Sequence, residues 1–203
     1  VARVFASMDI PVKLADKIAP TPAVSWGAKN FDAVGIVITV SHNPPEYSGF
    51  KIKAPFGGPA TPSHIEGVEA QLENVTESLE LKKFEDYEEE GLIGGLNLTE
   101  RFLEVLESQV DLVSIRKSNL KVAHDPMYGA GQGLIKELVS DNQVIELHSE
   151  FNPGFHEQAP EPIEANLGPL SELIVKEGCD LGIANDGDAD RIGMFDEQGN
   201  FVN

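Results

Sequence analysis

The longest strongly apolar run in this sequence is Val34-Gly35-Ile36-Val37-Ile38-Thr39-Val40, only seven residues long and rich in β-branched side chains. It is too short to cross a bilayer or to form a buried helix, so it predicts a strand covered on both faces. Such strands belong to layered α/β sheets, and the rest of the chain has the matching pattern. Ser63-x-x-Glu66 predicts a capping box ahead of an amphipathic helix carrying Ile65, Val68, Leu72 and Val75. A second helix is expected from about Thr99 to Val113, with Phe102, Leu103, Leu106 and Val110 on its buried stripe. Strands at Leu120–Ala123, Val144–Leu147 and Leu181–Ala184 then alternate with helices at Gly131–Val139 and Leu170–Lys176, and Phe195–Phe201 is expected to turn a hairpin. The fold class is therefore α/β, as two consecutive α/β/α layered units with mostly parallel, mixed sheets. A boundary near Gly94-Gly95 divides the chain into residues 1–95 and 96–203.

Charge narrows the function. The 203 residues carry 15 Lys plus Arg against 34 Asp plus Glu, a formal charge of −19. Phosphate backbones and anionic lipids are held by Lys and Arg, so nucleic-acid and membrane-surface binding are excluded as main functions. The hydrophobic share of 41% is too high for a disordered acidic tail. The acidity is uneven: residues 1–65 hold six bases and four acids, whereas residues 66–90 hold ten acids and two lysines. The stretch Glu85–Glu90 is a solvated surface with no function assigned. The lone Cys179 excludes an internal disulfide and suggests a reducing, cytoplasmic setting; it is expected to be a buried small residue. Val1–Ala6 has the pattern of the last turns of a helix and Phe201-Val202-Asn203 stops at a strand, so both ends are expected to be cuts.

Two loops carry chemistry. Ser41-His42-Asn43-Pro44-Pro45 follows directly on the apolar strand, at the end where α/β sheets bind ligands. Ser41 there is a nucleophile, a phosphate carrier or a turn residue. His42 adjoins it and cannot easily turn onto the hydroxyl, and Thr39 and Asn43 hold the glycine positions of a hydrolase elbow. Gly49-Phe50-Lys51-Ile52-Lys53 returns two lysines towards the same region. The second loop, Asp186-Gly187-Asp188-Ala189-Asp190-Arg191, follows the strand at Leu181–Ala184. Converging carboxylates repel by about 4 kcal/mol per pair near 4 Å at an effective dielectric of about 20. A hard divalent cation, Mg²⁺ or Ca²⁺, is thus expected among Asp186, Asp188 and Asp190. An EF-hand is excluded because Arg191 stands where its loop needs Gly. A haloacid-dehalogenase-type, Mg²⁺-dependent phosphohydrolase with Asp186 as nucleophile is the alternative. Gly129-Ala130-Gly131-Gln132-Gly133 lacks the last glycine of a dinucleotide fingerprint and is assigned to close helix–strand packing. His124, His148 and His156 have no metal-ligand spacing.

Taken together, the two loops resemble those of the phosphoglucomutase/phosphomannomutase superfamily of phosphohexomutases. Thr39-Val40-Ser41-His42-Asn43-Pro44 resembles its phosphoserine loop, Gly49-Phe50-Lys51 its downstream lysine element and Asp186–Arg191 its metal loop. Pro20-Thr21-Pro22, Asp125 with Gly129-Ala130-Gly131, and Pro160-Glu161-Pro162 with Asn166-Leu167 are minor landmarks in the family's order. Ser48 departs from the Asn that often precedes Gly-hydrophobic-Lys.

The resemblance implies the first of four domains, short of its opening strand and most of its first helix, and nearly all of the second. The sugar-recognition and C-terminal phosphate-binding domains, the missing C-terminal half of the same protein, would then lie outside the chain. It further implies that Ser41 carries a phosphoryl group, that Asp186, Asp188 and Asp190 hold Mg²⁺ together with a phosphoserine oxygen, and that Arg191 contacts that phosphate. Lys51 would transfer the proton, with His42 as a helper. The implied reaction interconverts hexose 1-phosphate and hexose 6-phosphate, of glucose or mannose, through a hexose bisphosphate. An inert metal-binding fragment is the third reading of the chain by itself. In so acidic a chain, the substrate's non-reacting phosphate is expected to be gripped by basic residues outside it.

Overall fold

The computed structural model describes residues 1–72, 74, 79–140 and 143–202. In chain order these form α1 (Ala2–Ala6), β1 (Val12–Ala15), α2 (Thr21–Asn30), β2 (Gly35–Thr39), β3 (Gly49–Lys53), α3 (Pro62–Leu72), α4 (Phe84–Glu89), β4 (Ile93–Leu96), α5 (Leu98–Gln109) and α6 (Leu112–Lys117). There follow β5 (Val122–Asp125), α7 (Leu134–Leu138), β6 (Val144–Glu146), α8 (Gly168–Glu177), β7 (Leu181–Asn185), β8 (Ile192–Phe195) and β9 (Phe201–Val202). Parallel and antiparallel pairing both occur, as expected of a mixed α/β fold.

The second half is built on one sheet in the order β6-β5-β7-β8-β9. β6, β5 and β7 run parallel, and their connections pass through α7 and α8, because parallel neighbours need a crossover. β8 returns antiparallel along β7, with Asn185 opposite Ile192, so residues 186–191 form a tight turn at the carboxyl end of β7. Every residue of β5 is buried. The core beneath it gathers Leu167, Leu170 and Ile174 of the α8 region with Ala184, Phe195 and Cys179. Pro169 opens α8, and Gly178 closes it in the left-handed region at φ 62°.

In the first half, β1 pairs in parallel with β4, Val12 opposite Ile93, so Gly94 and Gly95 lie within a strand. β2 pairs antiparallel with β3, placing Val37 opposite Lys51 and Thr39 opposite Gly49. That hairpin carries Lys51 back to the level of the loop after β2. The expectation that Val34–Val40 is covered on both faces does not hold. Val37 is buried, but Val34 is 59% and Ile38 54% exposed, because the face that carries Val34, Ile36 and Ile38 lines an open groove. That groove is apolar and shared with Phe5, Val12 and Leu14.

Three local expectations shift. The helix predicted over Thr99–Val113 is two helices, because Val110 is extended (φ −112°, ψ 137°). Asp111 then caps α6 by accepting the Ser114 N–H at 3.0 Å, which leaves Val110 exposed rather than on the buried stripe. The helix at 62–72 is capped two residues earlier than expected, at Thr61 rather than Ser63: Pro62 takes the first helical position and Thr61 Oγ1 accepts from the His64 N–H. None of its described residues is buried, with Val68 and Leu72 both exposed, and Val75 lies outside the described residues.

The packing of α8 gives a direct test. Ile174 is 0% and its neighbour Val175 62% exposed. Ile174→Ala is expected to lower unfolding stability by about 2–5 kcal/mol and Val175→Ala by about 0.5 kcal/mol or less, measured by urea denaturation.

Candidate active site

The turn between β7 and β8 shows how three aspartates tolerate one another. Asp186 is buried, and its Oδ1 accepts the backbone N–H groups of Asp190 (2.9 Å) and Arg191 (3.0 Å), which curls the loop back on itself. Ala189 takes φ 54° to complete the curl, a conformation costly for a residue with a Cβ. The outcome is that Asp186, Asp188 and Asp190 each present a carboxylate oxygen within 4.8 Å of the others.

The loop after β2 meets this turn. Ser41 sits at φ 55°, its N–H donating to Thr39 Oγ1 at 2.8 Å. Its carbonyl accepts the Gly187 N–H at 3.0 Å. A Cβ on Gly187 would lie 2.5 Å from that carbonyl oxygen, so glycine is required for the two loops to touch. The Ser41 hydroxyl donates to Asp186 Oδ2 (3.3 Å) and accepts from Lys51 Nζ (3.1 Å). The same ammonium reaches Asp188 Oδ2 at 2.7 Å and Asp190 Oδ2 at 3.2 Å. Arg191 lies at the rim, its Nε 4.0 Å from Asp186 Oδ2. His42 is placed differently: its Nδ1 is buried without a hydrogen-bond partner among the described residues.

Electrostatics follow from these contacts. Burial pushes the Asp186 carboxyl up to about 6, reinforced by the charges of Asp188 and Asp190 and opposed by the two N–H groups on Oδ1. For Asp188 burial acts in the same sense, but hydrogen bonds from Lys51 and Thr21 outweigh it and hold the group below the usual carboxylate range. Burial disfavours the Lys51 ammonium, yet Asp188 and Asp190 together raise its pKa. The donor set is all oxygen, and Asp188 Oδ1 is buried without a hydrogen-bond partner among the described residues. These residues therefore suit a hard divalent cation of the Mg²⁺ class, which would satisfy that oxygen and relieve the mutual repulsion.

Two supports were not evident from sequence reasoning. Thr21, noted only within Pro20-Thr21-Pro22, donates its hydroxyl to Asp188 Oδ2 at 2.5 Å and its N–H to the Asp188 carbonyl at 2.8 Å. The glycines at 129–131 serve a contact between loops rather than helix–strand packing. The Ala130 N–H donates to the Gly187 carbonyl at 2.9 Å, and a Cβ on Gly129 would meet that oxygen at 2.6 Å. The expected helix over Gly131–Val139 accordingly shortens to α7, since residues 129–133 are spent on this turn. The histidines support the same region. His124 is fully buried between Glu146 and Asn185, and His148 lies against Asp125, whose Oδ1 accepts the Met127 N–H.

Comparison with known proteins accords with this geometry. The family models described as "Phosphoglucomutase/phosphomannomutase, alpha/beta/alpha domain I" and "domain II" match residues 1–79 and 100–199. A phosphoglucomutase/phosphomannomutase of Thermococcus kodakarensis is 34% identical over 193 residues, covering 91% of this chain and 40% of the relative. A phosphopentomutase of the same organism is 35% identical over 187 residues, with the same shares covered. A crystal structure described as a putative phosphomannomutase from Thermus thermophilus superposes with a TM-score of 0.87 at 32% identity, covering all of this chain and 45% of that one. The chain thus spans about 40% of the length of the curated relatives it matches. With both domain models in order and the two loops converging on one centre, the chain belongs to the phosphoglucomutase/phosphomannomutase family.

Proposed function

We propose that this chain carries the phosphoryl-transfer centre of a sugar-phosphate mutase that interconverts hexose 1-phosphate and hexose 6-phosphate. The observation that carries the proposal is the Ser41 hydroxyl, held between Lys51 and Asp186 beside a carboxylate cluster with an unpartnered oxygen. Ser41 is the phosphate carrier, and residues 1–95 and 96–203 act as two units, each supplying one loop. Asp186, Asp188, Asp190 and an oxygen of phosphorylated Ser41 hold Mg²⁺, which supplies charge neutralisation at the transferring phosphoryl group.

The protein's own groups account for the proton. As the phosphoryl leaves, the Ser41 Oγ–P bond breaks and Lys51, already hydrogen-bonded to Oγ, gives that oxygen a proton. The amine so formed takes the proton of the sugar hydroxyl as its oxygen bonds to phosphorus. The resulting bisphosphate returns its other phosphoryl to Ser41 by the reverse sequence. Arg191 at the rim contacts the phosphate, and His42 has a helper's part next to Ser41. The substrates are a hexose phosphate and its bisphosphate, in a reducing, cytoplasmic compartment where Cys179 stays a thiol. The chain's relatives include a phosphopentomutase, so the choice of sugar lies outside the features described. Recognition of the sugar and its distal phosphate is assigned to the rest of the mutase, and the chain by itself is expected to be inactive.

The alternative, an Asp186 nucleophile in a phosphohydrolase, fits the geometry less well. Asp186 is buried, with Oδ1 committed to two backbone N–H groups.

Ser41→Ala in the mutase that carries this chain is expected to lower turnover by on the order of 10³-fold or more, measured by hexose-phosphate interconversion. Intact mass should show a phosphoryl group on wild type and none on the variant. Near-wild-type turnover of Ser41→Ala, with Asp186→Asn abolishing phosphate release, would instead establish the hydrolase.

Stability supplies a pH test without substrate. The Asp186 carboxyl titrates at about 6 in the fold against an ordinary value of 3.8, so between those values the folded protein holds a proton that the unfolded chain has lost. Asp186 therefore contributes a fall in metal-free stability as pH rises from about 4 to about 6. Urea midpoints across that window should show this component in wild type, and Asp186→Asn should remove it.

A further inference from the structure

We infer that Thr21 is a positioning residue for the metal centre, fixing the Asp188 carboxylate so that its Oδ1 stays available as a ligand. The inference rests on the reading of Asp186, Asp188 and Asp190 as a divalent-cation site. Thr21 stands at the start of α2, flanked by Pro20 and Pro22. Proline has no N–H, so Thr21 holds the one backbone donor of the tripeptide, and in the first helical turn that donor has no partner within the helix. It is spent on the Asp188 carbonyl at 2.8 Å, while the hydroxyl reaches Asp188 Oδ2 at 2.5 Å. One residue thus grips both the backbone and the side chain of a single aspartate.

The two oxygens of that aspartate are treated unequally. Oδ2 accepts from Thr21 Oγ1 and, at 2.7 Å, from Lys51 Nζ. Oδ1 accepts from no group among the described residues, although Asp188 is only 3% exposed. A buried carboxylate oxygen without a donor is costly, and rotation about χ2 would let the carboxylate exchange its two oxygens. Donors from two directions on Oδ2 resist that rotation. Thr21 is itself buried, so its hydroxyl is a donor shielded from bulk water. Residues that orient a metal ligand in this way typically account for about 10–100-fold in metal affinity.

The test is Mg²⁺ titration of the purified chain by calorimetry, with Mn²⁺ binding followed by electron paramagnetic resonance and metal-free thermal midpoints recorded in parallel. Thr21→Val keeps the side-chain shape and removes the hydroxyl; it is expected to weaken Mg²⁺ and Mn²⁺ binding about 10-fold or more. Thr21→Ser, which restores the hydroxyl on a smaller side chain, is expected to bind within about threefold of wild type. Should the valine variant fail to fold, Thr21→Ala against Thr21→Ser provides the same contrast, since both are smaller than threonine. Wild-type affinity in the folded hydroxyl-free variant would overturn the role of Thr21 while leaving the metal site intact. A loss in Thr21→Ser equal to that in the hydroxyl-free variant would overturn it as well, by assigning the effect to packing. Absence of binding in wild type would overturn the metal site itself, and the inference with it.

Discussion

The mutual repulsion of three carboxylates in one tight turn is the constraint around which this structure is arranged. Each pair near 4 Å costs about 4 kcal/mol at an effective dielectric near 20. The fold offsets this with donors from three separate places: backbone N–H groups of the turn on Asp186, the Lys51 ammonium on Asp188 and Asp190, and Thr21 on Asp188. Because Lys51 and Thr21 come from the first half of the chain and the turn from the second, the charge problem of one sheet is answered by the neighbouring unit. The same contacts therefore hold the two halves together and assemble the site.

Backbone contacts make that junction tight. Gly187 donates to the Ser41 carbonyl, while its own carbonyl takes the Ala130 N–H. Three loops from distant parts of the chain meet at a residue with no room for a side chain. Ser41 and Ala189, on either side of this meeting point, both occupy the left-handed region. Strain of this kind persists only where surrounding contacts outweigh it, and here those contacts are the ones that aim the serine hydroxyl at Asp186 and Lys51.

Much of this was legible in the amino-acid sequence because the chemistry is concentrated in short motifs. Ser41 and the alternating aspartates announce themselves locally, and the strands and helices of the second half follow from their hydrophobic period. The return of Lys51 could be read from its distance along the chain, although the pairing of Val37 with Lys51 that brings it home belongs to the hairpin. What escaped the sequence depends on partners far away. Thr21 and Asp188 are 167 positions apart, and no local pattern connects them. Gly129 looks like a helix-packing glycine until Gly187 is seen against it. The covering of β2 turns on what packs against each of its faces, which its own composition cannot express. The break at Val110 is a different case: Asp111-x-x-Ser114 is a capping signal, masked by an apolar stripe that continues across it.

The bridge made by Lys51 has a consequence for the charge that this centre presents to its surroundings. At neutral pH three carboxylates and one ammonium leave about two negative charges, which a single divalent ion cancels, and Arg191 at the rim adds one positive charge. A phosphoryl group on Ser41, as the proposed function requires, would add about 1.5–2 negative charges. With an ion in residence, the centre would change by about 1.5–2 charges as the proposed phosphoryl departs and arrives. On the proposed function, an anionic sugar phosphate would meet a less negative surface when it has a phosphoryl to give than when it is to receive one.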